Sequence, residues 1–132
     1  MATPYDSIAE KYGIELIIRF GSSAKGRLHG ESDLDLAIAR RPHHPRWTWD
    51  DLIDIEYEIW KVIRPAEEID LVDISRASPL LLGEIARHGK PEYLAHPESY
   101  IRFFSWAMRR YEDNDKWFRR QASALGTAVH AS

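Results

Sequence analysis

The sequence predicts a single α/β (α+β) domain in which helices flank a small mixed β-sheet. Three short apolar runs have the length and composition of strands, at 14–20, 33–39 and 69–74. Between and after these runs, apolar residues recur at helical spacing, and glycines and prolines stand at the boundaries. A length of 132 residues suits one compact domain.

The first part of the chain predicts a helix, a strand, a loop and a second strand. Large side chains one helical turn apart indicate a helix over 5–12, which Gly13 ends. The β-branched run IELIIRF at 14–20 indicates a buried strand. Glycine, serine and basic residues make 21–30 a turn region, and the period-2 alternation of DLDLAIA at 33–39 indicates the next strand.

The middle of the chain predicts a helix and a third strand. Thr48 and Asp51 resemble a capping box at the start of the helix, and Pro65 stops the helix after residue 63. Apolar residues recur along this helix at helical spacing: they are Leu52, Ile55, Ile59 and Val62. The run IDLVDI at 69–74 then indicates a strand.

The remainder predicts two further helices around a short extended piece. Ser78 and Pro79 begin a helix that Gly89 closes. Residues 92–95 are at most a short extended segment. A last helix is predicted over 97–118, because large apolar side chains again follow helical spacing there.

The sequence shows no internal repeat, and we expect no second domain. We assign 1–121 to the domain, and the small polar residues of 122–132 predict a flexible tail. Trp60 and Trp106 are assigned to core packing. The basic, aromatic stretch 99–120 is compatible with a helix packed on the domain, a partner surface or an RNA-facing patch; its combination of Trp and Arg favours a partner surface.

Composition excludes several kinds of function. The chain has no cysteine, which excludes disulfides, thiolate metal sites and a cysteine nucleophile. Its formal net charge of −3 argues against nucleic-acid binding by the molecule as a whole. No apolar run approaches the roughly 20 residues that span a bilayer, and no secretory signal is visible. We therefore expect a cytoplasmic protein.

The candidate chemistry lies in the stretch FGSSAKGRLHGESDLDLAI at 20–38. Asp33 and Asp35 are two residues apart on a predicted strand, so both side chains point to the same face at its start. Two like charges at such short range repel each other unless a cation lies between them. Mg²⁺ is the cation that this pair favours, because it prefers carboxylate and phosphate oxygens.

A third carboxylate is available from the strand at 69–74. If this strand neighbours the one that begins at Asp33, Asp70 completes a carboxylate triad. Because the period of a strand is two residues, Asp73 would point away from Asp70. We therefore prefer Asp70 to Asp73, which we interpret as a structural or surface carboxylate. Asp70 could also accept the proton of an attacking hydroxyl.

The loop before the second strand offers groups for a triphosphate. Gly21 lets the backbone approach a phosphate closely, and Ser22 offers a hydroxyl and an amide hydrogen bond. Lys25 adds positive charge against the phosphates. Phosphoryl transfer requires mainly placement and charge neutralisation, which this set of residues can supply.

These motifs resemble those of the DNA polymerase β-like nucleotidyltransferases, and more closely those of the minimal nucleotidyltransferases, the MntA-type antitoxins. In that group the loop reads GSxARG and is followed by SDxDL; here it reads GSSAKG and SDLDLAI. Lys25 stands in place of the usual arginine, which keeps the charge but loses bidentate geometry. The resemblance covers roughly 14–111, and its first motif is the more specific part.

The resemblance implies a polymerase β-like fold and a specific activity. Members of the group pair with a HEPN-domain ribonuclease toxin encoded beside them, and inactivate it by transferring AMP from ATP to one of its tyrosines. Motif matching implies that the catalytic and Mg²⁺-binding residues are Asp33, Asp35 and Asp70, and that the nucleotide-binding residues are Gly21, Ser22 and Lys25. Neither membrane association nor stable direct nucleic-acid binding is expected.

Two alternatives to this function remain open. The same chemistry could act on a small molecule or a nucleic-acid end, although a chain of this length has little room for an acceptor pocket of its own. The protein could also be a non-catalytic antitoxin that acts by occlusion, although the intact carboxylate set argues against a dead site. Replacing Asp33 and Asp35 with asparagine separates the two mechanisms, because occlusion survives the change and catalysis does not.

Overall fold

The predicted α/β class is confirmed by a computed structural model, which describes residues 2–21, 34–64 and 68–130, with side chains through residue 126. A small mixed sheet is flanked by helices. In chain order the elements are α1 (Asp6–Tyr12), β1 (Ile14–Phe20), β2 (Leu34–Arg40), α2 (Trp49–Ile63), β3 (Ile69–Asp73), a 3₁₀ turn (Ile74–Arg76), α3 (Pro79–His88), β4 (Lys90–Leu94) and α4 (Ser99–His130).

The described strands form one sheet in the order β3-β2-β1-β4. β1 is antiparallel to both β2 and β4, whereas β2 and β3 are parallel. A parallel pair needs a crossover connection, and α2 lies in the chain between β2 and β3. The topology places the end of β1 and the starts of β2 and β3 at one end of the sheet, where Gly21, Asp35 and Asp70 lie.

Apolar side chains cover both faces of the sheet. On one face, α1 and α2 pack against side chains such as Ile17, Leu36 and Ile38. On the other face, α3 and α4 pack against Leu16, Ile18 and neighbouring residues of β2. Because both faces are buried, the central strands β1 and β2 read in the sequence as nearly continuous apolar runs.

Local signals at the helix ends act as the sequence predicts. At the start of α2, Thr48 Oγ1 accepts a hydrogen bond from the backbone N–H of Asp51 at 3.1 Å, and Asp51 Oδ2 accepts one from the N–H of Thr48 at 2.8 Å. This is the capping box read from the sequence. Ser78 caps α3 by accepting a hydrogen bond from the N–H of Leu81 at 3.2 Å, with Pro79 at the first helical position, and Gly13 ends α1 in the left-handed conformation.

Several elements differ from the sequence prediction. The strand predicted as a short extended piece at 92–95 is β4, which begins at Lys90 and pairs with β1. This pairing is non-local, so β4 carries little local pattern of its own. The third predicted strand ends one residue early, because the Asp73 side chain accepts a hydrogen bond from the N–H of Ser75 and starts the 3₁₀ turn. The last helix continues past its predicted end near Phe118.

The extension of α4 to His130 has a simple cause. The residues after Phe118 are mainly strong helix formers, and no proline interrupts them. The mobility predicted for 122–132 is a separate property and stays a prediction. No helix of the described part of the chain is both long and apolar enough to cross a membrane.

One core assignment from the sequence is wrong. Trp106 packs partly buried against the cluster formed by α3, α4 and the sheet. Trp60, by contrast, is exposed on α2. The buried face of α2 is formed by Leu52, Ile55 and Ile59, and the helical rotation turns residue 60 away from it.

Candidate active site

Two of the predicted carboxylates lie side by side. Asp35 on β2 and Asp70 on β3 are register partners in the parallel pair. Partners on neighbouring strands point to the same face of a sheet, and the strands are roughly 5 Å apart. Asp35 shares its face with Ala37, and Asp70 shares it with Val72, both on the α3–α4 side. The structure therefore brings Asp35 and Asp70 together.

Asp73 lies apart from this pair, at the opposite end of β3. Its side chain is only 7% exposed, and Oδ1 accepts hydrogen bonds from the N–H of Ser75 at 3.0 Å and from its hydroxyl at 2.9 Å. Arg76 lies near the other oxygen, with Nε 3.9 Å from Oδ2. Asp73 thus stabilises the turn that follows β3.

Gly21 is the first residue after β1 and lies directly beside Asp35. Phe20, the last residue of β1, is the register partner of Asp35. Gly21 has a φ of 77°, and a Cβ built on it would collide with Asp35 Oδ2. A residue with a side chain would therefore displace the carboxylate as well as strain the backbone.

The remaining predicted site residues cannot be placed in the same way. Ser22 and Lys25, predicted to bind phosphate, and Asp33, predicted to bind the metal, lie outside the described residues. In the sequence Ser22 follows Gly21 and Asp33 precedes Leu34, the first residue of β2. Their roles stay predictions.

Sequence reasoning missed an acidic neighbour of this site, Glu56 on α2. Burial raises the pKa of Glu56, and the nearby charges of Asp70 and Glu68 raise it further. A signal was present in the sequence: Glu56 is spaced i, i+4 from the apolar Leu52, so it adjoins the buried face of the helix. Glu56 and Glu68 therefore add two carboxylates to the surroundings of Asp70.

This acidic surrounding fits a hard divalent cation. Among the described residues, no group of three or more His, Cys, Asp or Glu side chains is arranged to hold a metal ion. The third predicted ligand, Asp33, is not among them. Asp35 and Asp70 nevertheless present carboxylates on one face of the sheet. Mg²⁺ prefers such carboxylate oxygens and tolerates few of them, because it completes its shell with phosphate and water.

A cavity of about 450 Å³ lies away from these carboxylates. It is lined by the start of β1 and the end of β2, together with Ser99, Phe103 and Trp106 of α4. The carboxylate pair lies at the end of β1 and the start of β2, so the two features occupy opposite ends of the sheet.

Comparison with known families gives one match. The family model described as polymerase beta, nucleotidyltransferase, matches residues 5–95, which contain Gly21, Asp35 and Asp70. None of the curated proteins matches the chain.

Several solved structures have a similar fold. A chain from a toxin–antitoxin crystal structure with AMP-PNP aligns with a TM-score of 0.73 and 20% identity, over 95% of this chain and 96% of that one. A chain from the complex of a tri-AMPylated HEPN toxin of Shewanella oneidensis with an MNT antitoxin aligns with a TM-score of 0.64 and 18% identity, over 95% and 96%. One from an MntA–HepT toxin–antitoxin structure gives 0.65 and 18%, over 92% of each.

Proposed function

Because the chain belongs to the polymerase beta nucleotidyltransferase family, we propose that it transfers AMP from ATP to a tyrosine of a HEPN-domain toxin and thereby acts as an antitoxin. The observation that carries the proposal is the pairing of Asp35 with Asp70 beside Gly21. The similar structures support the choice of substrate and partner, since they include a complex with AMP-PNP and one with a tri-AMPylated HEPN toxin.

The proposal assigns roles to six residues. The backbone at Gly21 and the Ser22 hydroxyl hold the triphosphate, and Lys25 neutralises part of its charge. Asp33, Asp35 and Asp70 would hold Mg²⁺. When bound, Mg²⁺ supplies positive charge against the phosphates and the leaving pyrophosphate.

The reaction is a single displacement at phosphorus. The tyrosine oxygen forms a bond to the α-phosphorus of ATP, the bond from that phosphorus to the bridging oxygen breaks, and pyrophosphate leaves with the electron pair. Asp70, an exposed carboxylate on the edge strand β3, takes the phenolic proton. The remaining residues orient the triphosphate, which is where most of the catalytic effect of such a site originates.

The test is a mass measurement on the acceptor. The chain is co-expressed with the protein encoded beside its gene, and the intact mass of that neighbour is recorded. The proposal expects one or more AMP masses with the wild-type chain, and none when Asp33→Asn and Asp35→Asn are combined. Tight binding without added mass in both cases would overturn the catalytic function and favour occlusion. A small-molecule or nucleic-acid acceptor would instead leave the neighbour unmodified and unbound.

A further inference from the structure

Helix α2 has an apolar face that the domain does not bury. Trp49, Ile53, Tyr57 and Trp60 are between 45% and 71% exposed. Their spacing of four, four and three residues places all four on one side of the helix, which we call the α2 stripe. The side chains of α2 that pack into the domain core are different ones, namely Leu52, Ile55 and Ile59. Contiguous exposed apolar surface of this kind marks an interaction site.

The α2 stripe lies beside β3, the edge strand that carries Asp70, and α2 packs on the sheet face opposite to the one that carries the Asp35 and Asp70 side chains. Glu56 lies one turn from both Ile53 and Trp60, and the buried side of the same helix packs in one cluster with Ile69, the neighbour of Asp70 on β3. At the start of the stripe, the Arg76 guanidinium lies 4.2 Å from the centre of the Trp49 ring, which ties that ring to the turn after β3. The stripe therefore runs along β3, the outer strand of the sheet and the one that carries Asp70.

The charges beside the stripe are mostly negative. Asp50, Asp54 and Glu58 lie on α2 on the side away from the core, whereas Lys61 is the basic residue of that helix. Lys61 pairs with Glu58 at 3.2 Å and lies 4.9 Å from the centre of the Tyr57 ring, and Arg76 lies over Trp49 at the other end. The acidic border is therefore formed by Asp50 and Asp54, between these two cations. A partner that covers the stripe therefore meets aromatic anchors and an acidic border.

We propose that the α2 stripe is the docking surface for the acceptor protein, which presents its tyrosine from a basic surface. This inference rests on the proposed function. An acceptor hydroxyl has to reach Asp70, and the protein that carries it must then cover the surface beside β3. A second copy of this chain is a poorer occupant, because a two-fold pairing of stripes would bring two acidic borders together.

The test measures the transfer rate against acceptor concentration, with the neighbouring-gene protein as acceptor. Tyr57→Ala and Trp60→Ala, singly and together, are expected to raise the KM for the acceptor roughly tenfold or more, as for aromatic anchors elsewhere. The kcat and the affinity for AMP-PNP are expected to stay unchanged. Leu80→Ala and Ile101→Ala remove side chains of similar exposure, 59% and 62%, from α3 and α4 and serve as matched controls.

A charge variant keeps the test decisive if the aromatic changes perturb folding. Asp54→Lys alters an exposed position and is expected to raise the acceptor KM at low salt, with the difference shrinking as salt screens the charges. An acceptor KM that is the same in wild type, stripe variants and Asp54→Lys would overturn the docking surface. So would stripe variants that abolish self-association of this chain but leave the acceptor KM unchanged.

The outcomes for docking and for catalysis are distinguishable. If the wild-type chain binds the neighbour without modifying it, and the stripe variants weaken that binding, the docking surface stands and the transfer function fails. If the wild-type chain modifies the neighbour and the stripe variants do so with unchanged KM, the transfer function stands and the docking surface fails. If the wild-type chain neither binds nor modifies the neighbour, both are overturned.

Discussion

Oδ2 of Asp35 lies against the backbone of Gly21, in the space that a side chain at residue 21 would need. Gly21→Ala is therefore expected to push the carboxylate out of position and to strain a backbone with a φ of 77°. We expect the transfer rate to fall about 100-fold, the effect of a displacement near 1 Å in an active site. The strain should cost about 1–2 kcal/mol of stability. Transfer kinetics and chemical denaturation measure the two effects.

Gly13→Ala is the matched control for this prediction. Gly13 also has a positive φ, 70°, and a Cβ there would meet the His44 ring, far from the carboxylates along β1. This variant should lose stability in a similar way but keep its transfer rate per folded molecule. Equal losses of transfer in both variants would mean that Gly21 acts only through stability.

The parallel pairing of Asp35 with Asp70 makes both carboxylates candidates for catalysis. Asp35→Asn and Asp70→Asn are each expected to reduce AMP transfer by at least about 100-fold, because each removes a metal ligand or proton acceptor while keeping the side-chain shape. The rate of AMP incorporation, measured by intact mass over time, checks this.

Asp73→Asn separates a catalytic carboxylate from a structural one on the same strand. Asp73 is buried and accepts two hydrogen bonds from Ser75, so the amide should weaken the turn and lower stability by about 1–2 kcal/mol. Transfer per folded molecule should remain close to wild type. If Asp73→Asn lost as much transfer activity as Asp70→Asn, the interpretation of Asp73 as a structural carboxylate would be wrong.

The sequence predicted these positions unevenly, for physical reasons. Alternation within IDLVDI was enough to separate Asp70 from Asp73, because a strand has a strict period of two. The capping box of α2 was equally visible, since its partners are three residues apart. Which strand lies beside Asp35 is decided by long-range pairing, which the sequence does not reveal. The prediction for Asp70 therefore depended on the assumption that the two strands are neighbours.

Features set by tertiary packing were missed for the same reason. The extent of β4 depends on its pairing with β1. Residue type alone does not distinguish the exposed Trp60 from a buried tryptophan. Its exposure is decided by the rotation of α2 against the sheet. Glu56 is an ordinary helical glutamate in the sequence, and its significance arises from the distant Asp70.

Glu56 gives a prediction for the dependence of stability on pH. Burial, with Asp70 and Glu68 nearby, raises its pKa above the ordinary 4.5. A raised folded-state pKa means that ionised Glu56 destabilises the fold above that pKa, and that the penalty disappears as the pH falls below the unfolded-state value. Glu56→Gln should therefore be more stable than wild type at pH 7, and the difference should vanish by about pH 4.

Urea denaturation at several pH values measures this difference. Asp54→Asn removes a more exposed carboxylate of the same helix and is the control, for which we expect a smaller effect at pH 7. A stability difference for Glu56→Gln that is independent of pH would indicate a packing effect rather than a charge effect.

Gly83 of α3 and Tyr111 of α4 are in contact, and this contact provides a test of how the two helices pack. A Cβ at residue 83 would collide with the Tyr111 ring, over which the Arg87 guanidinium also lies at 4.6 Å. Overpacking costs about 1–3 kcal/mol, whereas alanine gains up to about 1 kcal/mol over glycine within a helix. With the full helical gain subtracted, Gly83→Ala should thus destabilise the wild-type chain by about 1 kcal/mol, within a range of roughly 0–2 kcal/mol.

In a Tyr111→Ala background, the effect of Gly83→Ala on stability is expected to change sign. Without the ring, the alanine at residue 83 meets no obstacle, so Gly83→Ala should become stabilising by its helical propensity alone. The double-mutant cycle, measured by denaturation, therefore has a coupling energy whose sign follows from the contact. If Gly83→Ala changes stability by the same amount in both backgrounds, the α3–α4 packing at this point is different from the one described. The stability effects of two substitutions are not additive when one substitution relieves the strain that the other introduces.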